Sequence, residues 1–211
     1  MNINWIDSRK DINNPLIRMI IHKIKKTTTI SNIEHSDEDI YSHFLSQESG
    51  ENNLVELLIE RTFGRPRDII KFLQIYQKNY PNDNKFLIKN LKHCYKEYSK
   101  WFYDEMCNEI HILNEKKDIE LTIKSIQEMK KRKFSFDELK EFIENSEDFK
   151  EYGIKNLKDC VNKLYSLGFI GNTSKGKNKI TEFSYRLNHS SNANFKMDFI
   201  VHFGMQPYLS L

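Results

Sequence analysis

LYSLGFIGNTSKGKNKITEFSYRL, residues 164–187, is the stretch that decides the fold. Leu164 and Tyr165 close an apolar helical face that starts at Leu157 and Val161, and Leu167-Gly168 ends the helix. Phe169 and Ile170 lead through a glycine- and lysine-rich tip, Gly171 to Lys179. Beyond it Phe183, Tyr185 and Leu187 alternate with Glu182, Ser184 and Arg186. Alternation is the period of a strand with one buried face, so the helical period gives way here to a strand, loop, strand unit. A last strand is expected over Met197 to Phe203.

Upstream of that switch the pattern is helical. Asn114 to Lys133 places Ile119, Ile123 and Ile126 on one face and ends in Lys130-Lys131-Arg132-Lys133, where cations suit the negative end of the helix dipole. Ser135 and Glu138 form a capping-box pair before Leu139, Phe142 and Ile143. A third helix is expected from about Gly153. Three helices followed by a strand, a basic loop and a strand is the order of a winged helix, and residues 113–211 are read as that domain.

Residues 1–112 read as all-helical. Asn14-Pro15 sets a capping residue before a proline at the first helical position, and Leu16, Met19, Ile20 and Ile24 then share a face to about Lys26. Ser36 with Asp39 opens a second helix carrying Ile40, Phe44 and Leu45, and Asn53 to Thr62 gives a third. Pro66 starts a fourth, with Ile69, Phe72, Leu73, Tyr76 and Tyr80 on one stripe, stopped by Pro81. From Asp83 a single long helix is expected, through Leu87, Leu91, Tyr95, Tyr98, Phe102 and Met106 to at least Ile110.

Composition agrees with a folded, mainly α chain. Aromatic residues make up 12 % of the 211, which a disordered chain would lack, and 7 glycines and 4 prolines are sparse punctuation. The 33 Lys+Arg against 30 Asp+Glu leave no strongly cationic surface, so nucleic-acid affinity would have to come from local clusters. Cys94, Cys107 and Cys160 are odd in number and lack CxxC spacing, which reads as reduced, buried thiols in a cytoplasmic protein. The first residues hold no uninterrupted apolar h-region, and no stretch approaches the roughly 18 apolar residues of a membrane helix.

Chemistry-bearing motifs are few. GxxxxGK[ST], GxGxxG and GxSxG are all absent, so a self-sufficient nucleotide hydrolase is not expected and no catalytic residue is assigned. Cys107 and His111 have i, i+4 spacing but no second ligand pair, and are read as a thiol beside a surface imidazole rather than a metal site. Glu105 with Glu109, and Asp137, Glu138 and Lys140, loosely evoke a nuclease set but read as solvated helix faces. Arg65-Pro66-Arg67-Asp68 is more informative, because it puts two guanidiniums at a helix N-terminus, where amides and dipole favour an anion. The alternative is that Pro66 and Asp68 start a helix while the arginines pair with neighbouring acids.

The sequence resembles the C-terminal half of the FunZ-like P-loop ATPases, an AAA-like group of bacteria. The resemblance runs from Ile3-x-Trp5 and Leu16-Ile17, through Arg61-Thr62-Phe63-Gly64-Arg65-Pro66-Arg67-Asp68 to Phe72 and Tyr98-Ser99 to Glu109. It ends with Leu164 to Asn172, Phe183-x-Tyr185-Arg186 and Ile200 to Met205. It implies a helical lid-like bundle followed by a winged-helix domain with a small antiparallel sheet. By position it assigns Arg65 and Arg67, the latter inside the first turn, to a sensor-2 region that reads the nucleotide's phosphates. ATP, Mg2+ and a P-loop nucleotide-binding domain, in the same polypeptide or a separate chain, are implied for the parent enzyme; this chain carries no cofactor of its own. A defence or mobile-element context is implied as well.

For the winged helix the expectation is docking to protein slightly ahead of DNA. As a DNA reader it would present Lys155, Lys158 and Lys163 from its third helix and touch phosphate with Lys175, Lys177 and Lys179 of the wing. Asp159 and Glu151 lie on or near that face and weigh against it. The competing class is a free-standing winged-helix DNA-binding regulator.

Overall fold

A computed structural model of the chain describes residues 11–27, 36–46, 48–49, 52–174, 180–186 and 192–211. The fold is mainly helical with a small antiparallel sheet, as the sequence leads one to expect. Two compact units divide between Tyr98 and Ser99, whereas the sequence reading sets its boundary after residue 112.

In the first unit α1 spans Pro15–Thr27. Asn14, fully buried, caps it by accepting the Leu16 N–H at 2.9 Å. Ser36 and Asp39 form the expected capping box on α2, Asp37–Ile40, but α2 does not carry on as α-helix through Leu45. Tyr41–Leu45 is a π-helical turn closed by the Ser46 N–H to Tyr41 O at 2.9 Å. A short antiparallel pair, β1 Glu48–Ser49 and β2 Asn52–Asn53, leads to α3, Leu54–Glu60, whose first amides are accepted by Asn53 Oδ1. α4 is Pro66–Asn79.

The single long helix expected from Asp83 is two helices, α5 Ile88–His93 and α6 Tyr95–His111. The Tyr76 hydroxyl explains the late start: it donates to Asp83 and accepts the Leu87 N–H at 2.9 Å, holding residues 83–87 out of helix. At Cys94, between the two helices, the N–H is shared among the carbonyls of Asn90, Leu91 and Lys92, a tightening of the turn toward 3-10 geometry. Ile17, Leu58, Ile69, Phe72 and Leu91 lie at the centre of this unit's core, each fully buried. Each such side chain contributes about 1.5–3 kcal/mol relative to exposure.

The second unit continues with α7 Lys116–Glu128, β3 Lys133–Phe134, α8 Phe136–Asn145, α9 Glu147–Tyr152 and α10 Leu157–Ser166. Then follow β4 Ile170–Thr173, β5 Thr181–Glu182, β6 Asp198–Val201 and α11 Gln206–Leu209. The sheet order is β3-β6-β4-β5 with every pairing antiparallel, and Phe134 sits opposite Phe199 and Ile170 opposite Val201. Phe134, Leu139, Leu164, Phe169, Phe183 and Phe199 fill the core beneath it.

Three local expectations change. The basic run does not end α7: the helix stops at Glu128, Lys130 turns to φ 56°, and Lys133 enters β3. Lys131 pairs with Glu138 at 2.6 Å and Lys133 with Asp198 at 3.3 Å, so partners other than the helix dipole engage two of its cations. α9 is an additional helix, ended by Gly153 in the left-handed region at φ 53°. The alternating stretch from Phe183 is not a strand, because Ser184–Arg186 closes into a 3-10 turn with the Ser184 hydroxyl donating to Tyr165 O at 2.6 Å; Leu187 lies outside the described residues.

Candidate functional site

The turn between α3 and α4 carries the two arginines singled out by sequence. Gly64 adopts φ 67°, open to glycine at little cost, and its N–H donates to Thr62 Oγ1 at 3.2 Å. The Phe63 N–H donates to Asp68 Oδ2 at 3.2 Å, and Asp68 Oδ1 lies 3.6 Å from Arg67 Nε. Asp68 is buried, so the amino end of α4 already holds an anion of its own. Asp68 thus organises the helix start and pairs with an arginine, and the Arg67 side chain is 54 % exposed. Arg65 is half-buried, its guanidinium 5.0 Å from the Phe63 ring centre.

A third arginine belongs to this neighbourhood and escaped assignment. The Arg61 guanidinium lies 3.8 Å over the Tyr95 ring, and Tyr95 in turn packs on Phe72 at 5.8 Å. Burial pushes the Tyr95 phenol up, which the nearby Arg61 charge partly opposes. No local spacing links Arg61 to Tyr95, so only the fold could reveal the pair. Arginine forks at a helix N-terminus can take a phosphate or carboxylate in bidentate fashion.

In the second unit α10, with Lys155 just ahead of its cap, presents further candidate residues. Asn156 caps it by accepting the Asp159 N–H at 3.3 Å, and Lys155, Lys158 and Lys163 are all exposed. Lys158 Nζ sits 5.1 Å over the Phe195 ring. Asn162 on the same helix accepts the Ala193 N–H at 3.2 Å and so holds the segment leading to β6. Beside Lys163, the carboxylates of Glu115, Asp118 and Asp159 line a pocket of about 330 Å3 between α7 and α10. Lys175, Lys177 and Lys179 lie outside the described residues.

Asn172, which the sequence reading sets at the start of the glycine- and lysine-rich tip, lies in β4 and has a structural task. Its side chain donates to Asn194 O at 3.0 Å and accepts the Asn194 N–H at 2.8 Å, pairing β4 with a segment that is not a strand. A Cβ on Gly171 would meet Glu182 O at 2.6 Å, which ties that glycine to the close approach of β5.

His111, Glu138 and Lys140 each have a partner at the surface. His111 Nε2 lies 3.7 Å from Glu120, and burial pushes the Cys107 thiol up. Glu138 belongs to the Ser135 capping box and Lys140 pairs with Glu144 at 3.7 Å. Among the described residues no group of three or more His, Cys, Asp or Glu side chains could hold a metal ion. No described helix is long and apolar enough to cross a membrane.

No curated protein matches the chain, and no solved structure matches it. Residues 14–107, from the cap of α1 through most of α6 and including the Arg61 to Asp68 turn, are similar to one known domain: they match the family model described as the FunZ-associated C-terminal helical domain.

Proposed function

We propose that this chain is a regulatory C-terminal portion of a P-loop ATPase, acting on a nucleotide-binding domain that it does not itself contain. The observation that carries the reading is the match of residues 14–107 to the FunZ-associated C-terminal helical domain. Within it Arg67, half-exposed at the first turn of α4, is the sensor that meets a nucleotide phosphate, with Arg65 beside it. ATP and Mg2+ come with the P-loop domain. This chain contributes no catalytic group and works in the cytoplasm.

The second unit acts as a winged helix. Its support is the order α7, β3, α8, α9, α10, β4, β5, β6, with α9 an added helix and β6 lying between β3 and β4 in the sheet. Docking to protein is favoured over DNA, because Glu115, Asp118 and Asp159 set three carboxylates around α10, which itself carries two lysines, Lys158 and Lys163. Nucleotide state would move the lid, and the lid the winged helix.

An antibody against this chain, applied to the source cells, tests the proposal when the recovered species is sequenced by mass spectrometry. Recovery of a P-loop domain, in the same polypeptide or as a nucleotide-dependent partner, whose turnover falls on Arg67→Ala, is the expected result. A lone 25.3 kDa species whose recovery ATP does not alter would overturn it.

A further inference from the structure

In the first unit, α1, the π-helical turn, α4 and the loop before α5 line a groove of about 580 Å3. Small-molecule sites occupy roughly 300–1,000 Å3. The floor is apolar, built by Ile24 of α1, Ile70 and Leu73 of α4, and the rings of Phe44 and Phe86, whose centres are 6.4 Å apart. Phe44 is delivered by Tyr41–Leu45, and single π-helical turns recur at functional sites because they re-aim side chains at a cost in hydrogen-bond geometry.

The loop wall is fixed in place. Tyr76, only 2 % exposed, donates to Asp83 and accepts the Leu87 N–H at 2.9 Å. Asn90 Nδ2 donates to Asp83 at 2.7 Å, and His43 Nε2 donates to Asn84 O at 3.2 Å. Bonds from the π turn, α4 and α5 thus hold a segment with no regular structure of its own. The groove is preformed, which lowers the ordering cost of filling it.

Its margin is cationic. Lys23 and Lys85 are among the lining residues, and Asp83, the one carboxylate among the described lining residues, accepts from both Tyr76 and Asn90 through Oδ2. The geometry points to a binding site for a small amphipathic anion, its flat apolar body on the Phe44, Leu73 and Phe86 floor and its acidic group toward Lys85 and Lys23. This goes beyond the function proposed above and does not depend on it.

Fluorescence titration of the whole chain with 8-anilinonaphthalene-1-sulfonate, set against its uncharged counterpart N-phenyl-1-naphthylamine, tests the site. One saturable sulfonate site is expected, with the uncharged dye about fivefold weaker, the worth of a surface ion pair. Lys85→Glu should weaken the sulfonate by about fivefold or more and leave the uncharged dye unchanged. Gln77→Trp, at an exposed lining position, should remove both by filling the groove, and Leu73→Arg repeats that test from the floor, with circular dichroism reporting the fold of each variant. Absence of saturable binding would overturn the proposal, and so would binding that survives in a folded Gln77→Trp chain. Equal affinity for the two dyes, insensitive to Lys85→Glu, would replace the anion site with a merely apolar docking face.

Discussion

Asp68, 1 % exposed, accepts the backbone N–H of Phe63 at 3.2 Å from five residues away and binds the turn that carries both candidate arginines. Its loss would leave a buried amide without that partner. Asp68→Ala is therefore expected to cost about 1–3 kcal/mol of stability in the first unit. Arg67→Ala, at a half-exposed side chain, should stay within about 0.5 kcal/mol. Urea unfolding followed by circular dichroism separates the two. Equal losses would make Arg67 a structural partner of Asp68 and remove the reason to assign it a phosphate.

In the second unit the corresponding fixed point is Asn172, whose two bonds to the Asn194 backbone measure 3.0 and 2.8 Å. Asn172→Ala is expected to cost about 2–3 kcal/mol, since it strands a donor and an acceptor together. Gly171→Ala should cost about 1–3 kcal/mol, because its Cβ would stand 2.6 Å from Glu182 O and β5 would have to move. Amide hydrogen exchange is the measurement: both variants should lose protection in β4 and β5 before α7 and α8. Unchanged protection there would mean that neither contact fixes the sheet.

What the sequence made legible was local. Asn14, Ser36, Ser135 and Pro66 start helices where their side chains dictate, and Gly168, at φ 80°, follows α10 as a C-terminal glycine should. What it hid depended on distant partners. Residues 83–87 carry a helical apolar pattern, but Tyr76 offers Asp83 and Leu87 better hydrogen bonds than a helix would. Phe183 to Arg186 alternate like a strand, yet the Ser184 hydroxyl is taken by Tyr165 O. At the candidate sites the same division holds: Arg65 and Arg67 were visible as a motif and Asp159 as a neighbour on the α10 face, whereas Arg61 on Tyr95 and the carboxylates of Glu115 and Asp118 beside Lys163 are brought in by tertiary structure.

Acid should weaken the second unit through Glu138. Lys131, then the Ser135 backbone N–H, pulls its carboxyl from the ordinary 4.5 to about 2. A depressed folded pKa stabilises above the unfolded value, so the contribution is full above about pH 4.5 and is lost as the pH falls toward 2. The side chain is 45 % exposed, and solvent screening together with the cap's usual worth sets the expectation at about 1 kcal/mol. Glu138→Gln should be less stable at pH 7 and flatter between pH 5 and pH 2, as read from thermal melts across that range. A variant as steep as the parent would place the acid sensitivity elsewhere.

The thiols should be slow. Burial pushes Cys94 up to about 11 and raises Cys107 and Cys160 as well. Since the thiolate is the reacting form, a disulfide reagent such as DTNB at pH 7.5 should titrate the native chain far more slowly than the unfolded one, which offers all three. Cys107, the one that is not fully buried, should react first. A fast native phase would identify an activated cysteine that the burial argument does not allow.

The surface of α10 decides between docking to protein and contact with DNA. Phosphate contacts release counterions, so each productive lysine adds nearly one unit to the slope of log K against log salt. Lys155, Lys158 and Lys163 supply three such charges, but Glu115, Asp118 and Asp159 stand around the same helix and repel a phosphate backbone. Fluorescence anisotropy with duplex DNA should therefore give weak binding even at about 50 mM salt, with a slope below about 2. Replacing Glu115 and Asp159 by lysine should strengthen and steepen it, because the obstacle is charge rather than shape. If the native chain instead binds tightly, and the triple variant Lys155→Ala, Lys158→Ala, Lys163→Ala abolishes binding, then those carboxylates do not govern the surface and α10 reads DNA.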